Sequence, residues 1–240
     1  MPGSILNQSV SIIIPTLNEA EYLPQTISAI YSNAQNVVEI VVVDCGSEDQ
    51  TVELAYQVGL TNIHVKEEFK GCKFMALNYG AKQATGDVLL FLDADSTPPA
   101  NFDHLILSSL QDSEVVGGAF RLEFDTSHYA MKIIETINHF RYSVRHRFYG
   151  DQGIFVRRNI HEAVGGFPAL SIMEAAHYCK ILKKYGRLDL VNEQPMKTSS
   201  RRFMEKGILK TFFNDAKIWA IDLVGLSTRR FAAKYWNYNQ

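Results

Sequence analysis

Asp93 and Asp95 stand two positions apart directly after an unbroken apolar run, Val88 to Leu92 (VLLFL). If the chain stays extended past such a strand, the two carboxylates lie on one side, roughly 6 to 7 Å apart at the backbone. That arrangement suits a hard divalent cation. Mg²⁺ or Mn²⁺ takes carboxylate oxygen, keeps several waters and completes its shell with substrate phosphates. An isolated Asp-x-Asp is common in turns, so its meaning depends on what surrounds it. Upstream, Lys70-Gly71-Cys72-Lys73 leads into the helical pattern Phe74 to Ala84. Basic side chains beside a helix N-terminus favour a phosphate, so Lys70 and Lys73 are candidate diphosphate ligands.

The elements that must position these groups are legible in the first half. Ser11 to Pro15, Glu39 to Asp44, Asn62 to Val65 and Val88 to Leu92 are short apolar runs of the kind buried on both sheet faces. Helical patterns at Glu19 to Ser32, Asp49 to Val58 and Phe74 to Ala84 alternate with them, which predicts βαβ units and a mainly parallel sheet flanked by helices. Ser47 and Gln50 have capping-box spacing for the second helix. In such α/β sheets ligands bind beyond the carboxyl ends of strands. Three of those ends are polar: Pro15-Thr16-Leu17-Asn18-Glu19, Asp44-Cys45-Gly46-Ser47 and Asp93-Ala94-Asp95-Ser96. They predict one carboxylate-rich crevice. The second half shows fewer clean strands and longer helical patterns at Tyr129 to Arg145, Arg158 to Val164, Met173 to Tyr185 and Ile208 to Val224.

Composition narrows the class. The 240 residues suffice for one domain with a full core, and 46% apolar with 21% charged residues is ordinary for a globular protein. No linker, repeat or low-complexity tract divides the chain, so a single domain over 1–240 is expected. A net charge of −2 gives no reason to expect nucleic acid as a partner. Cys45, Cys72 and Cys179 have no paired spacing, which fits a reducing cytoplasm better than a disulfide framework or a zinc site. No signal peptide core or spanning segment is evident. Absence of glycine from Pro15 to Glu19 argues against a nicotinamide-binding turn.

The strings SIIIPTLNEAEYL, VVVDCGSEDQT, KGCKFMALNYGAKQATGD and VLLFLDADSTPP resemble, in order and spacing, the donor-binding half of family-two glycosyltransferases of the GT-A fold. The resemblance implies a nucleotide-sugar donor half at 8–100, an acceptor and catalytic half at 101–205, and C-terminal helices at 206–240. It implies that Pro15, Thr16, Asn18 and Glu19 line the base and ribose pocket and that Asp44 bonds the nucleobase. Lys73 would approach the base or diphosphate, Asp93 the ribose or a metal-bound water, and Asp95 the metal. UDP is the favoured nucleotide, and transfer with inversion to an acceptor hydroxyl is expected.

Later strings are similar to a soluble bacterial branch of that family: Gly150-Asp151-Gln152-Gly153, Gly165-Gly166-Phe167-Pro168 and Met173-Glu174-Ala175. The family places an aspartate base where this chain has Ala175. Glu174 is a candidate substitute, although adjacent helical residues point about 100° apart. Asp151 is a second candidate. A nucleotide-sugar binding protein of the same fold with little or no transferase activity is the alternative. Ser199-Ser200-Arg201-Arg202-Phe203 resembles the basic-aromatic loop that covers the donor, giving Arg201 and Arg202 as diphosphate stabilisers. Glu174 and His177 share helical Glu-x-x-His spacing, but a carboxylate-bridged metal bundle needs a second copy. Thr211 to Leu226 is apolar on more than one face. It is expected to pack on the sheet or a partner subunit as a homodimer, or to touch a membrane carrying a lipid-linked acceptor, with Arg229, Arg230 and Lys234 toward anionic headgroups.

Overall fold

The structure is a computed structural model that describes residues 8–228 and Phe231. Arg229, Arg230 and Lys234 lie outside the described residues. The first strand β1 (Val10–Thr16) pairs in parallel with β2 (Val37–Asp44) and with β4 (Val88–Phe91), and β2 pairs in parallel with β3 (Ile63–Val65). Alternation along β1 sets the layers. Ile13 faces one core with Val41, Val43, Leu89 and Phe91, whereas Ile12 and Ile14 face another with Ile40, Val42 and Leu90. Both sheet faces are therefore covered, which explains the unbroken apolar runs.

Helices α1 (Leu23–Asn33), α2 (Thr51–Gln57) and α4 (Phe102–Ser109) bring Leu23, Ile27, Ala55, Phe102 and Ile106 to the second core. Helix α3 (Lys73–Gln83) brings Ala76, Leu77 and Ala81 to the first. It lies so close that a Cβ at Gly80 would meet the Ile13 side chain at 2.5 Å. The Ser47–Gln50 capping box does not form. Ser47 instead donates to Asp44 at 2.5 Å, and the Asp49 carboxylate accepts from the Thr51 backbone N–H at 3.0 Å, so α2 begins later.

The second half holds more strand than its sequence shows. A two-residue strand β5 (Ser96–Thr97), β6 (Val115–Phe124), β7 (Ile154–Arg157) and β8 (Arg187–Thr198) complete one eight-stranded sheet in the order β3-β2-β1-β4-β7-β6-β8-β5. β7 pairs antiparallel with β4 and β6, and β8 pairs parallel with β6 and antiparallel with β5. The pattern was obscured by Gly117-Gly118 in β6 and by the register shift where β6 meets Asn192 to Pro195 of β8. Around these strands lie α5 (Tyr129–Arg145), α6 (Arg158–Val164), α7 (Glu174–Leu182), α8 (Arg201–Lys206) and α9 (Ile208–Leu223).

Candidate active site

The crevice forms where the chain leaves β1, β2 and β4. At the end of β2, Asp44 is buried and accepts from Thr16 Oγ1 (2.8 Å), the Gly46 and Ser47 backbone N–H groups (3.0 and 2.8 Å) and Ser47 Oγ (2.5 Å). Both of its oxygens thus organise the loop. Asn18, in the left-handed region at φ 56°, ties the loop after β1 to the loop after β2: its N–H donates to Ser47 Oγ and its Oδ1 accepts from the Glu48 N–H, both at 2.8 Å. Pro15 lies half-buried on β1 between these groups and the core.

Beyond β4 the chain turns instead of continuing extended, with the Ser96 N–H bonded to the Asp93 carbonyl at 3.1 Å. Both carboxylates still face the crevice. Asp93 pairs with Lys73 Nζ at 2.5 Å, and Asp95 lies 3.3 Å from the Arg201 guanidinium. Arg201 also grips Glu19 through two bonds of 2.6 and 2.8 Å and stacks 4.4 Å over the Tyr22 ring. The start of α8 is thereby joined to the end of β1 across the mouth of the crevice. Tyr22 was missed by sequence reasoning, although it lies within the first quoted string.

Lys73 is the hub. It stands at the first turn of α3 against Asp93, and the charges of Asp93, Glu174 and Asp95 hold its ammonium above the ordinary lysine range despite the cost of burial. Gly150 closes over this pair, where an added Cβ would come within 2.9 Å of Lys73 Nζ and 3.3 Å of the Asp93 carboxylate. The next residue, Asp151, has one buried oxygen, Oδ1, without a hydrogen-bond partner. Burial, followed by the Asp93 charge, pushes its carboxyl up to about 6. Glu174 is buried at the start of α7, and burial raises its carboxyl although Lys73 pulls the other way. Burial also raises Asp95, with Asp93 adding to the effect, and raises Glu19 to about 7 against the pull of Arg201.

Ala175 belongs to the apolar cluster with Tyr178, Cys179 and Leu182, whereas its neighbour Glu174 lies close enough to Lys73 for the two charges to act on each other. The loop before α7 is fixed by Asn78, another residue that sequence reasoning passed over. Its amide donates to the Phe167 carbonyl (2.9 Å) and accepts from the Phe167 N–H (2.7 Å). His177 does not join Glu174 but bonds Asp222 of α9 at 2.6 Å, together with Arg147 at 2.6 Å.

Two candidates stand apart from the crevice hub. Lys70 is exposed and pairs with Glu48 at 2.7 Å. Arg202 forms a fork on Asp215 of α9 (2.6 and 3.2 Å), although its charge is felt by Asp151. The three cysteines are free thiols, with Cys45 and Cys179 buried.

Among the described residues, no group of three or more His, Cys, Asp or Glu could hold a metal through protein side chains alone. The donor set nevertheless fits a cation shared with a ligand. Asp93 and Asp95 offer oxygen only, and burial, followed by the Asp93 charge, raises the Asp95 and Asp151 carboxyls, a rise that a cation in the crevice would oppose. Oxygen donors of this kind select Mg²⁺ or Mn²⁺ over softer ions, with phosphate oxygens and water supplying the remaining positions.

The same fold is found in solved GT-A glycosyltransferases. Glucosyl-3-phosphoglycerate synthase from Mycobacterium tuberculosis, in complex with Mn²⁺ and UDP-glucose, superposes with a TM-score of 0.63 over 93% of this chain and 82% of that one, at 16% identity. The mannosyltransferase PcManGT from Pyrobaculum calidifontis, in complex with GDP-mannose and Mn²⁺, gives 0.58 over 80% of this chain and 56% of that one, at 24% identity. The fold is therefore GT-A. Residues 11–172 match glycosyl transferase family 2, and the chain belongs to that family of glycosyltransferases. Glycosyltransferase AglE of Haloferax volcanii is 29% identical over 248 positions, covering 95% of this chain and 79% of that protein. An uncharacterised glycosyltransferase of Rickettsia typhi is 34% identical over 110 residues, and the match spans only 34% of its length.

Proposed function

We propose that this glycosyltransferase takes a sugar from a nucleotide diphosphate donor, UDP-sugar by preference, and places it with inversion on an acceptor hydroxyl. The observation that carries the reading is the gathering of Asp93, Asp95, Asp151 and Glu174 around Lys73 at the carboxyl ends of the strands. Asp95 and Asp93 would hold Mg²⁺ or Mn²⁺, which when bound neutralises charge on the departing diphosphate. Lys73 and Arg201 lie on the same crevice and add fixed positive charge there. Thr16, Asn18, Asp44 and Pro15 shape the loops on which the nucleoside would rest.

Asp151 is the base we favour. A base must reach the acceptor proton and titrate near the working pH. Burial and the Asp93 charge push the Asp151 carboxyl up to about 6, and its Oδ1, buried in the absence of substrate, has no hydrogen-bond partner, whereas Glu174 lies in the field of the Lys73 charge and helps keep that lysine charged. Together they supply carboxylates that Ala175 lacks. The acceptor is a hydroxyl compound, and a lipid-linked one would require the protein to meet a membrane.

Calorimetric titration of UDP, GDP and dTDP, with and without Mn²⁺, tests the donor reading. UDP is expected to bind more tightly with Mn²⁺, and Asp95→Ala to remove that gain. Cation-independent binding untouched by the substitution would refute the role of Asp95.

A further inference from the structure

We infer that the outer faces of α5 and α9 form a docking surface for an anionic lipid bilayer. On α5, Tyr129, Ile133, Ile137, Phe140 and Val144 are all exposed, Tyr129 by 79% and Phe140 by 73%. At 100° per residue these five fall within an arc of about 80°, opposite the buried Met131 and Tyr142. On α9, Leu209 and Phe213 are 69% and 67% exposed, and Leu223 and Val224 continue the same side beyond the buried Thr211 and Ile218. The helices meet where Arg141 and Arg145 of α5 lie about 6 Å over the Trp219 ring of α9 (6.0 and 5.9 Å). Apolar side chains at this density on two adjoining helices mark an interaction surface.

Charge decides which occupant fits. Arg145 is exposed on α5, and Lys210 and Lys217 are exposed on α9. The acidic groups of these helices are already engaged: Glu135 by Lys132 and the Phe124 N–H, Asp215 by Arg202, and Asp222 by Arg147 and His177. The face is thus apolar with cationic borders. A second copy would set like charges against each other, whereas anionic headgroups complement them while the rings enter the acyl boundary. No helix among the described residues is long and apolar enough to cross a membrane, so the contact is interfacial. The opposite side of α9 reaches toward the site, where Asp215 pairs with Arg202. The inference does not depend on the identity of the donor or the base.

Flotation with vesicles tests it without any transfer reaction. The full chain is expected to float with phosphatidylcholine vesicles containing phosphatidylglycerol and to remain behind with phosphatidylcholine alone. Phe140→Ser and Phe213→Ser should each weaken flotation, and Lys217→Gln should lower partitioning about fivefold, the equivalent of the ~1 kcal/mol expected per cation at an anionic surface. Phe140 and Phe213 are exposed, so circular dichroism and Tm of those variants should match the parent; Lys217 also lies 5.8 Å over the Phe231 ring, and its variant is read by flotation once circular dichroism shows the parent fold. Failure of the parent to float, or flotation unaffected by all three variants, would overturn the proposal. So would a dimer in sedimentation equilibrium that Phe140→Ser dissolves, because that outcome assigns the face to a second copy.

Discussion

Asp151 and Glu174 differ in what their surroundings let them do. Both are carboxylates raised by burial, but Glu174 has Lys73 as its chief opposing charge, while Asp151 answers first to Asp93, which adds to the rise. Substituting the base removes a proton acceptor from the transition state and should lower kcat by roughly 10²- to 10⁴-fold. Asp151→Asn is therefore expected to act on kcat in that range with donor affinity nearly intact. Glu174→Gln, by weakening the hold on Lys73, should act chiefly on donor KM. Steady-state kinetics with a UDP-sugar would show the split, and the reverse pattern would make Glu174 the base.

At the scale of elements, the site depends on segments far apart in sequence being locked together. Asn78 in the middle of α3 holds the backbone of Phe167 by two hydrogen bonds, and a Cβ at Gly166 would come within 2.4 Å of the Asn78 side chain. The loop so fixed leads into α7, whose first residue is Glu174. Phe167 in turn stacks on Tyr178 of α7 with ring centres 4.1 Å apart. Asn78→Ala leaves a backbone N–H and carbonyl without partners, at a cost of about 1 to 3 kcal/mol. Urea unfolding should show a loss of that size. Asn78→Asp, which can still accept from the Phe167 N–H, should recover part of it.

The whole molecule concentrates carboxylates where burial disfavours their charge, so its stability should depend on pH in a particular direction. Asp151 and Glu19 titrate at about 6 and 7 against ordinary values of 3.8 and 4.5. Raised acid groups bind protons more tightly folded than unfolded. Their stabilising effect is full below the unfolded pKa and is lost as pH rises through the folded one. His161 works oppositely: burial lowers it from 6.5 to about 4, so its contribution is lost as pH falls through that range. Without divalent cation, the two carboxyls should therefore lower Tm between about pH 4 and 7, with His161 opposing them up to about pH 6.5, so that the net decline is clearest between about pH 6 and 7 and levels off above it. Asp151→Asn should raise Tm relative to the parent above about pH 6 and leave it unchanged below about pH 4. Mn²⁺ should flatten the decline. Scanning calorimetry across pH would contradict this if Tm rose through the upper window.

Much of this protein was settled by local pattern. The parity of β-branched residues in Ser11 to Pro15 and Glu39 to Asp44 fixes a sheet buried on both faces, because alternate side chains must find separate cores. Polar residues immediately after those runs located the crevice for the same reason. What the sequence could not give was distance between remote segments. Only packing sets Arg201 on Glu19, 182 residues away, and Lys73 on Asp93, while sending Lys70 to Glu48. On α7 the sequence offered Glu174 as the carboxylate beside Ala175, but only packing put Ala175 in the apolar cluster and Glu174 within the field of Lys73. Side-chain direction around a helix is decided by which face the tertiary core claims.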